Sequence, residues 1–470
     1  MSSVQSLQVH DLELEGLKVI ELPVHRDDRG WFKEAWNRER LTEAGLPGFL
    51  PVQQNMSFNT AVGTTRGFHA EPWDKLITVA SGKVFAAWVD LRPGPGFGQL
   101  ATLQVGPEQA VFVPRGVANA FQTLEPGTTY SYLVTRHWRA DDRDGYSYVN
   151  LDDDQLAVPW PIPLNRAVIS AADREHPSLK RARPVHALPI LVLGAGGQLG
   201  RALASRSGMD SRLQVMDREA LDVSDPAQID ALDLSSYGAV INAAAYTKVD
   251  LAELPSGRRE AWAVNAQAVS RLVARCARFG TTLVHISTDY VFDGSRPVAS
   301  EEDQPAPLGV YGQSKAAGEA AVRTLERFYL VRTSWVIGEG MNFVETMKRL
   351  AHSDIDPVVV DDQIGRLTFA EDLAAGLLHL IDHRAAYGIY NFQCSGAPQS
   401  WYQLARRVFE YCGKDPRRVG ATSTSEYGKS RASFAPRPAM SVLDTTKLRA
   451  TGYHPWDQQR ALARYLGFNP

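Results

Sequence analysis

One short stretch constrains the fold of this chain more than any other. Ile190-Leu-Val-Leu193 has the make-up of a buried strand, and Gly194-Ala-Gly-Gly197-Gln198-Leu199-Gly200 leads from it into a helix-like run, Arg201 to Ser205. Glycines at 194, 197 and 200 permit a tight turn, close approach of the backbone to a pyrophosphate, and near contact between helix and strand, while the helix N-terminus attracts phosphate. A glycine triplet alone says little; set between a strand and a helix, it predicts a nucleotide-binding α/β domain of the Rossmann type. The next strand, Leu213-Gln-Val-Met216, ends in Asp217-Arg218. An acid there suits a ribose diol and an arginine suits a 2′-phosphate, so NADPH and NADH both stay open, with the arginine favouring NADPH. By analogy with such folds Leu221-Asp222-Val223 sits near the adenine, and Val240-Ile-Asn242-Ala243-Ala244-Ala245-Tyr246 reads as another strand end lining the cofactor.

The spacing that carries chemistry follows. Thr282-Leu-Val-His-Ile286 is a short β-branched run with Ser287-Thr288-Asp289 at its C-terminal end, where open α/β sheets place their ligands. Tyr311 and Lys315 stand four apart at the start of a segment, Gln313 to Leu325, whose Ala and Glu content favours helix, so one turn brings both onto one face. A phenol titrates near pH ~10, and an ammonium one turn away is expected to pull it down. Tyr311 could then give a proton to a carbonyl oxygen as hydride reaches the carbon, with Thr288 hydrogen-bonding the same oxygen. A bare Tyr-x-x-x-Lys is more often a solvated pair on a helix surface. The strand end and the glycine turn upstream are what favour the catalytic reading.

At 470 residues the chain is too long for one ordinary core, and length alone suggests roughly two to four domains. A net charge of -3 and the lack of any Lys/Arg-rich cluster argue against a nucleic-acid or membrane-surface partner. Three cysteines, Cys276, Cys394 and Cys412, fit a reducing compartment better than a disulfide scaffold. No basic-then-apolar leader opens the chain and no apolar run approaches the ~18 residues a membrane span needs, so a cytoplasmic protein is expected.

From Leu17 to about Pro163 the pattern changes to short apolar runs, such as Leu76–Val79, Val84–Val89, Ala110–Val113 and Thr129–Val134, broken by Gly, Pro and Asp. Such spacing predicts an all-β sandwich or cupin-like jelly roll over residues 1–165. Here Arg66, His69, Lys75, Tyr132, Trp138 and the run Asp152-Asp153-Asp154 have chemical capacity, though each alone could be a core histidine, a surface charge or a loop. Residues 166–188 are polar and basic, with Pro177 and Pro184 discouraging helix, and read as a linker to an α/β domain over 189–470. After Trp335, helix-like pieces at Asp372–Asp382 and Ser400–Tyr411 suggest a small C-terminal substrate lobe.

Taken in order, these pieces resemble two families. The first segment, with Asp28-Arg29-Gly-Trp-Phe-Lys-Glu34, Gln54-Asn55-Met-Ser57, Arg66-Gly-Phe-His69, Lys75-Leu-Ile, Val89-Asp-Leu-Arg92 and Trp160-Pro161, resembles the dTDP-4-dehydrorhamnose 3,5-epimerases. The resemblance implies His69 as base, Asp153 as the carboxylate orienting it (within one position in 152–154), and Tyr132 as acid on the opposite face. It also implies substrate contacts from Arg29, Glu34, Gln54, Asn55, Arg66, Lys75, Asn119 and Trp138, and a homodimer formed through this domain. Two positions depart from the family: Asn119 stands where a sugar-contacting histidine is usual, and Trp138 where a tyrosine is usual. Epimerisation at only one carbon is therefore an alternative outcome, and a binding or dimerisation module without activity is another. The second segment, with Ile241-Asn-Ala-Ala-Ala-Tyr-Thr247, His285-Ile-Ser-Thr-Asp-Tyr-Val-Phe-Asp-Gly294, Val310-Tyr-Gly-Gln-Ser-Lys315, Arg332-Thr-Ser-Trp335 and Pro436-Arg-Pro438, resembles the dTDP-4-dehydrorhamnose reductases, an extended short-chain dehydrogenase type. That resemblance implies Thr288, Tyr311 and Lys315 as catalytic and Asp289, Tyr290 and Trp335 as contacts to the deoxysugar. Magnesium has been associated with the family, but no ligand cluster in the sequence requires it and no metal site is assigned. Together the two halves would turn dTDP-4-dehydro-6-deoxy-D-glucose into dTDP-L-rhamnose; a related deoxysugar is the alternative product.

Overall fold

The computed structural model describes residues 7–46, 48–138, 145–429 and 433–468. The chain divides into two compact units, Met1–Ala187 and Leu188–Pro470.

The first unit is built on two antiparallel sheets. Gln8–Asp11, Lys18–Glu21, Gln109–Val113, Lys75–Ser81, Thr128–Val134 and Gln53–Asn59 lie side by side in one; Ser147–Tyr148, Thr65–Ala70, Val117–Thr123, Val84–Asp90 and Leu100–Val105 form the other. Ile77, Val79, Trp88, Val111 and Phe121 fill the space between them, as expected for a sandwich. Val84–Asp90 is buried at every position, so both faces of its sheet are covered. The outer cover corrects the expected linker. Phe85, Ala87, Val89 and Leu91 would leave an apolar outer face in water, and Leu151, Leu156, Leu179 and Val185 bury it. The backbone is tied down as well: Thr65 N donates to Val168 O at 2.9 Å, Asn150 N to Pro177 O at 2.8 Å and Val185 N to Leu91 O at 2.8 Å. Residues 166–187 are part of the β unit, and include a short helix, Ala171–Arg174, capped by the Ser170 side chain.

In the second unit six parallel strands lie in the order Leu213–Met216, Ile190–Leu193, Ala239–Asn242, Thr282–Thr288, Phe328–Thr333, Gly388–Phe392. The chain runs outward in both directions from Ile190–Leu193 and Ala239–Asn242, so the crevice at the carboxyl ends of these two strands is the switch point where such sheets take ligands. Leu199, Leu203, Leu373 and Leu377 cover one face, and Ile229, Val269, Leu272 and Val273 the other. The helix expected at Gln313–Leu325 spans Val310–Val322. It starts earlier because Glu253 Oε1 accepts the otherwise orphaned N–H of Val310 at 2.8 Å, which puts Tyr311 inside the first turn. A smaller lobe packs Phe343–Ala351 and Trp401–Tyr411 around Leu367, Leu404 and Phe409, with Ser400 and Gln403 forming a capping box. Among the described residues no helix is long and apolar enough to cross a membrane, and the three cysteines are free.

Candidate active sites

In the first unit the sheets are joined by one ammonium. Lys75 starts a strand of the six-stranded sheet and donates to Asn119 Oδ1 on the five-stranded one, while its charge is met by Glu71 and its Nζ lies 5.9 Å from the centre of the Tyr132 ring. Asn119 sits opposite His69 in strand register, and Tyr132 opposite Asn55. Arg66, Asn55, Lys75, Asn119, Tyr132 and His69 thus cluster as the sequence suggested. Burial, then the charge of Glu71, raises the Tyr132 phenol; its hydrogen bond with Asn55 and the charge of Arg66 oppose this. The phenol therefore stays protonated at neutral pH.

The carboxylate on His69 is not the expected one. His69 Nε2 lies 3.1 Å from Asp173 Oδ1. Asp153 has its oxygens committed elsewhere, accepting the N–H of Gln155 at 2.9 Å and of Leu179 at 2.8 Å, so it fastens two parts of the outer cover to each other. Burial by itself would raise the Asp173 carboxyl, but the hydrogen bond and charge of His69, with His176 and Ser170, hold it below the ordinary carboxylate range. His176 Nε2 stands 3.8 Å from the same Oδ1. Asp173 and His176 were missed because they fall in the stretch read as linker; Asp173-Arg-Glu-His176, an acid and an imidazole three apart, was the available signal. Arg29 and Glu34 do not join the cluster: Arg29 is exposed and forks onto Asp27, and Glu34 pairs with Arg40. Gln54 donates to Ser131 Oγ at 3.1 Å, and Trp138 is exposed with its backbone N–H on Gln53 Oε1. His69, Asp173 and His176 are close enough to share an ion. Their nitrogen-rich set suits magnesium poorly, and no magnesium step is assigned.

The second unit's turn fits a dinucleotide. Gly194 has φ +84°, and a Cβ there would lie 2.6 Å from the N of Ala244; a Cβ on Gly200 would lie 2.1 Å from Gly194 O. Strand ends Leu193 and Asn242 are in register, so Ala243–Ala245 lie beside the turn. Nothing stands within 4 Å of a Cβ built on Gly196, and Gly197 heads helix Gln198–Arg206 with no side-chain cap, leaving its first N–H groups for phosphate oxygens. Asp217 Oδ1 accepts from Glu219 N and Ala220 N, Arg218 is exposed and pairs with Asp222 at 3.1 Å, and Val223 packs on the adjoining core.

At the end of strand Thr282–Thr288, Thr288 Oγ1 donates to Asp289 Oδ1 at 3.1 Å. Burial pushes the Tyr311 phenol up to about 12 against the lowering effect of its hydrogen bond with Thr288, and the Asp289 charge adds to the rise. This corrects the expectation that Lys315 draws the phenol down. Lys315 is itself buried, which pushes it down to about 8 despite the charge of Glu319, and its Nζ donates to the Ile286 carbonyl at 2.5 Å. Burial also lifts Asp289 to about 7, with Ser441 and Thr288 opposing. Tyr290 packs edge-on against Tyr311 at 5.7 Å. Trp335 takes φ +46° and stacks on Trp401 at 3.7 Å, a conformation uncommon for a bulky residue away from functional positions. Beneath them Glu319 accepts from Ser287 Oγ at 2.5 Å and from Arg332 Nη2 at 2.8 Å, all fully buried.

A parallel sheet with a glycine turn at its switch point and a Thr, Tyr, Lys set two strands over defines a dinucleotide-binding α/β domain; the sandwich with its His–Asp pair defines a separate β domain. The chain belongs to the RmlD substrate binding domain family over residues 188–467, fused to a dTDP-4-dehydrorhamnose 3,5-epimerase domain over residues 11–181. It is 40% identical over 291 residues to a dTDP-4-dehydrorhamnose reductase of Aggregatibacter actinomycetemcomitans, covering 58% of this chain and 96% of that protein. It is 43% identical over 178 residues to the "Protein RmlC homolog" of Streptococcus pyogenes serotype M6, covering 37% of this chain and 89% of the relative. A crystal structure of dTDP-4-dehydrorhamnose reductase from Bacillus anthracis str. Ames in complex with NADP matches with 33% identity and a TM-score of 0.55, over 59% of this chain and 98% of that one.

Proposed function

We propose that the chain is a bifunctional enzyme: the first unit epimerises dTDP-4-dehydro-6-deoxy-D-glucose at carbons 3 and 5, and the second reduces the resulting dTDP-4-dehydro-L-rhamnose to dTDP-L-rhamnose. What supports this reading is that each unit brings together groups suited to its step, His69–Asp173 with Lys75 and Tyr132 in one, and Thr288, Tyr311 and Lys315 in the other, the domain that carries the glycine turn.

In the first step His69, its tautomer fixed by Asp173, removes a proton from a carbon flanking the 4-ketone. The Lys75 ammonium stabilises the enolate oxygen, and Tyr132 returns a proton from the other side of the ring, inverting the centre. Both flanking carbons are acidified by the same ketone, so one site serves both. Asn119 holds Lys75 where a histidine is usual, so the sugar contact it replaces passes to the ammonium.

In the second step the turn Gly194–Gly200 and the N-terminus of helix Gln198–Arg206 would hold the coenzyme, which when bound would supply hydride to the carbonyl carbon. Tyr311, kept protonated by burial, donates its proton to the carbonyl oxygen, with Thr288 orienting that oxygen, and the Lys315 ammonium restores the phenol. NADPH is the preferred coenzyme: Arg218 is exposed and needs only to leave Asp222 to meet a 2′-phosphate, while Asp217 is engaged in holding its own turn. The active form is a homodimer through the first unit, where strand Gln53–Asn59 lies at a sheet edge and exposes Met56 and Phe58. With its free cysteines the chain suits a reducing, cytoplasmic setting.

The test uses two single variants on the full chain. Tyr311→Phe is expected to abolish NADPH oxidation while leaving deuterium uptake from heavy water into the sugar; His69→Asn is expected to abolish deuterium uptake, and with it NADPH oxidation from the unepimerised ketone, while leaving NADPH oxidation when dTDP-4-dehydro-L-rhamnose is supplied. Retention of both activities in either variant contradicts the assignment.

A further inference from the structure

His285 is fully buried on strand Thr282–Thr288, behind Lys315, and the reaction as written makes no use of it. Its hydrogen bonds fix its tautomer. Asn242, in register with His285 on the neighbouring strand, accepts the backbone N–H of Ala244 on Oδ1 at 3.2 Å. Its amide nitrogen must therefore be the atom facing His285 Nδ1 at 3.1 Å. An amide N–H can only donate, so Nδ1 accepts, and a neutral imidazole then carries its proton on Nε2. The imidazolium is disfavoured twice over, since it would set donor against donor at Asn242, and burial with the charge of Lys315 holds the ring well below its ordinary titration range. Nε2 lies 3.5 Å from Lys315 Nζ.

An ammonium has no lone pair for that N–H, whereas an amine has one. We propose that His285, aimed by Asn242, is a positioning residue whose Nε2–H favours the amine form of Lys315 and so makes its ammonium a ready proton donor to Tyr311. The proposal rests on the Thr288, Tyr311, Lys315 reading above and deepens it. The protons balance. The Tyr311 O–H bond breaks as the product hydroxyl forms; a Lys315 N–H bond breaks as the phenol is restored; the amine, accepting from His285, regains a proton from water before the next turnover. Among the described residues, the other charged or titratable groups on the elements packed about Lys315 include Tyr311 and Glu319 on its own helix, Asp289 just past the strand end, and Arg332 on the next strand. Glu319 favours the ammonium, but its carboxylate is shared with Arg332 and Ser287, which leaves the His285 donor as the direct contact opposing it.

The experiment measures the pH dependence of kcat for NADPH oxidation by the full chain with the 4-keto sugar nucleotide, in the parent, His285→Leu, His285→Gln and Asn242→Asp. Asn242→Asp keeps the size but offers only an acceptor to Nδ1, so the imidazole proton moves there and Nε2 accepts from the ammonium instead. Expected is an upward move of the basic limb by about one pH unit, a tenfold change in the Lys315 equilibrium, in His285→Leu and in Asn242→Asp. His285→Gln, which can still point an N–H at Lys315, keeps the parent limb. If either folded donor-removing variant, judged by an unchanged thermal transition, shows a lowered kcat with the limb in place, the role is structural and the proposal is overturned. If His285→Leu does not fold, Asn242→Asp alone decides. A parent that oxidises no NADPH overturns the reductase reading and this inference together; an active parent with unmoved limbs overturns only the inference.

Discussion

Replacing Asp173 by asparagine separates the two carboxylates that compete for the role of orienting His69. In the parent chain Asp173 Oδ1 is 3.1 Å from His69 Nε2, and its charge favours the imidazolium that forms when the ring takes the sugar proton. Full charges at that distance attract by roughly 5 kcal/mol at an effective dielectric of about 20. The His69 side chain is 40% exposed, so water screens much of this. What survives is the worth of a charge-assisted hydrogen bond, about 1.5–3 kcal/mol. Asparagine keeps the shape and an acceptor but loses the charge, so proton abstraction should slow by about ten- to a hundredfold. The assay follows loss of the proton signals beside the ketone by NMR in heavy water, without coenzyme, so that only the first step is read. Asp153→Asn is the control: it leaves one N–H, the part-buried one of Gln155 or the buried one of Leu179, without its carboxylate, which should lower the thermal transition by the equivalent of up to about 1–2 kcal/mol and leave the exchange rate within about twofold. Slow exchange in Asp153→Asn together with parent-like exchange in Asp173→Asn would make Asp153, not Asp173, the carboxylate that serves His69.

Three further outcomes follow from the second unit. Glu319→Gln strands the fully buried Arg332 guanidinium and should destabilise by about 3–5 kcal/mol, read from the denaturant midpoint, while Glu319→Leu combined with Arg332→Met should recover much of the loss. Asp289, raised from 3.8 to about 7, contributes stability that is fully present below pH 3.8 and lost as pH rises through 7; Lys315, lowered from 10.5 to about 8, contributes stability present above pH 10.5 and lost as pH falls through 8. Melting curves across pH 4–7 should therefore slope downward in the parent and flatten in Asp289→Asn, and an unchanged slope would remove Asp289 as the cause. Gly194→Val demands φ +84° of a β-branched residue and drives its Cβ to within 2.6 Å of Ala244 N, so NADPH binding followed by fluorescence should weaken by at least about tenfold.

Local pattern carried much of this fold. Ile190–Leu193 and the glycine turn are consecutive in the chain, with Asp217 at the end of the next strand, and strand, turn and helix obey local rules, so sequence alone placed them. Tyr311 and Lys315 were legible for the same reason, being one helical turn apart. What escaped was set by tertiary burial. The segment from Arg166 to Ala187 is polar enough to read as linker, and only the apolar outer face of Phe85, Val89 and Leu91 explains why it folds back and delivers Asp173 to His69. The Tyr311 titration was misjudged because spacing shows a neighbouring ammonium but not the loss of water around both groups, and here burial outweighs the charge. His285 and Asn242 lay inside motifs already noted, but their contact depends on strand register, which no single stretch encodes.

One product analysis tests both activities at once. Incubated in heavy water with dTDP-4-dehydro-6-deoxy-D-glucose and NADPH, the full chain is predicted to consume the coenzyme and yield dTDP-L-rhamnose bearing deuterium at carbons 3 and 5. A 6-deoxy sugar nucleotide reduced at carbon 4 with no deuterium at either position, or a ketone left unreduced beside untouched NADPH, would contradict it.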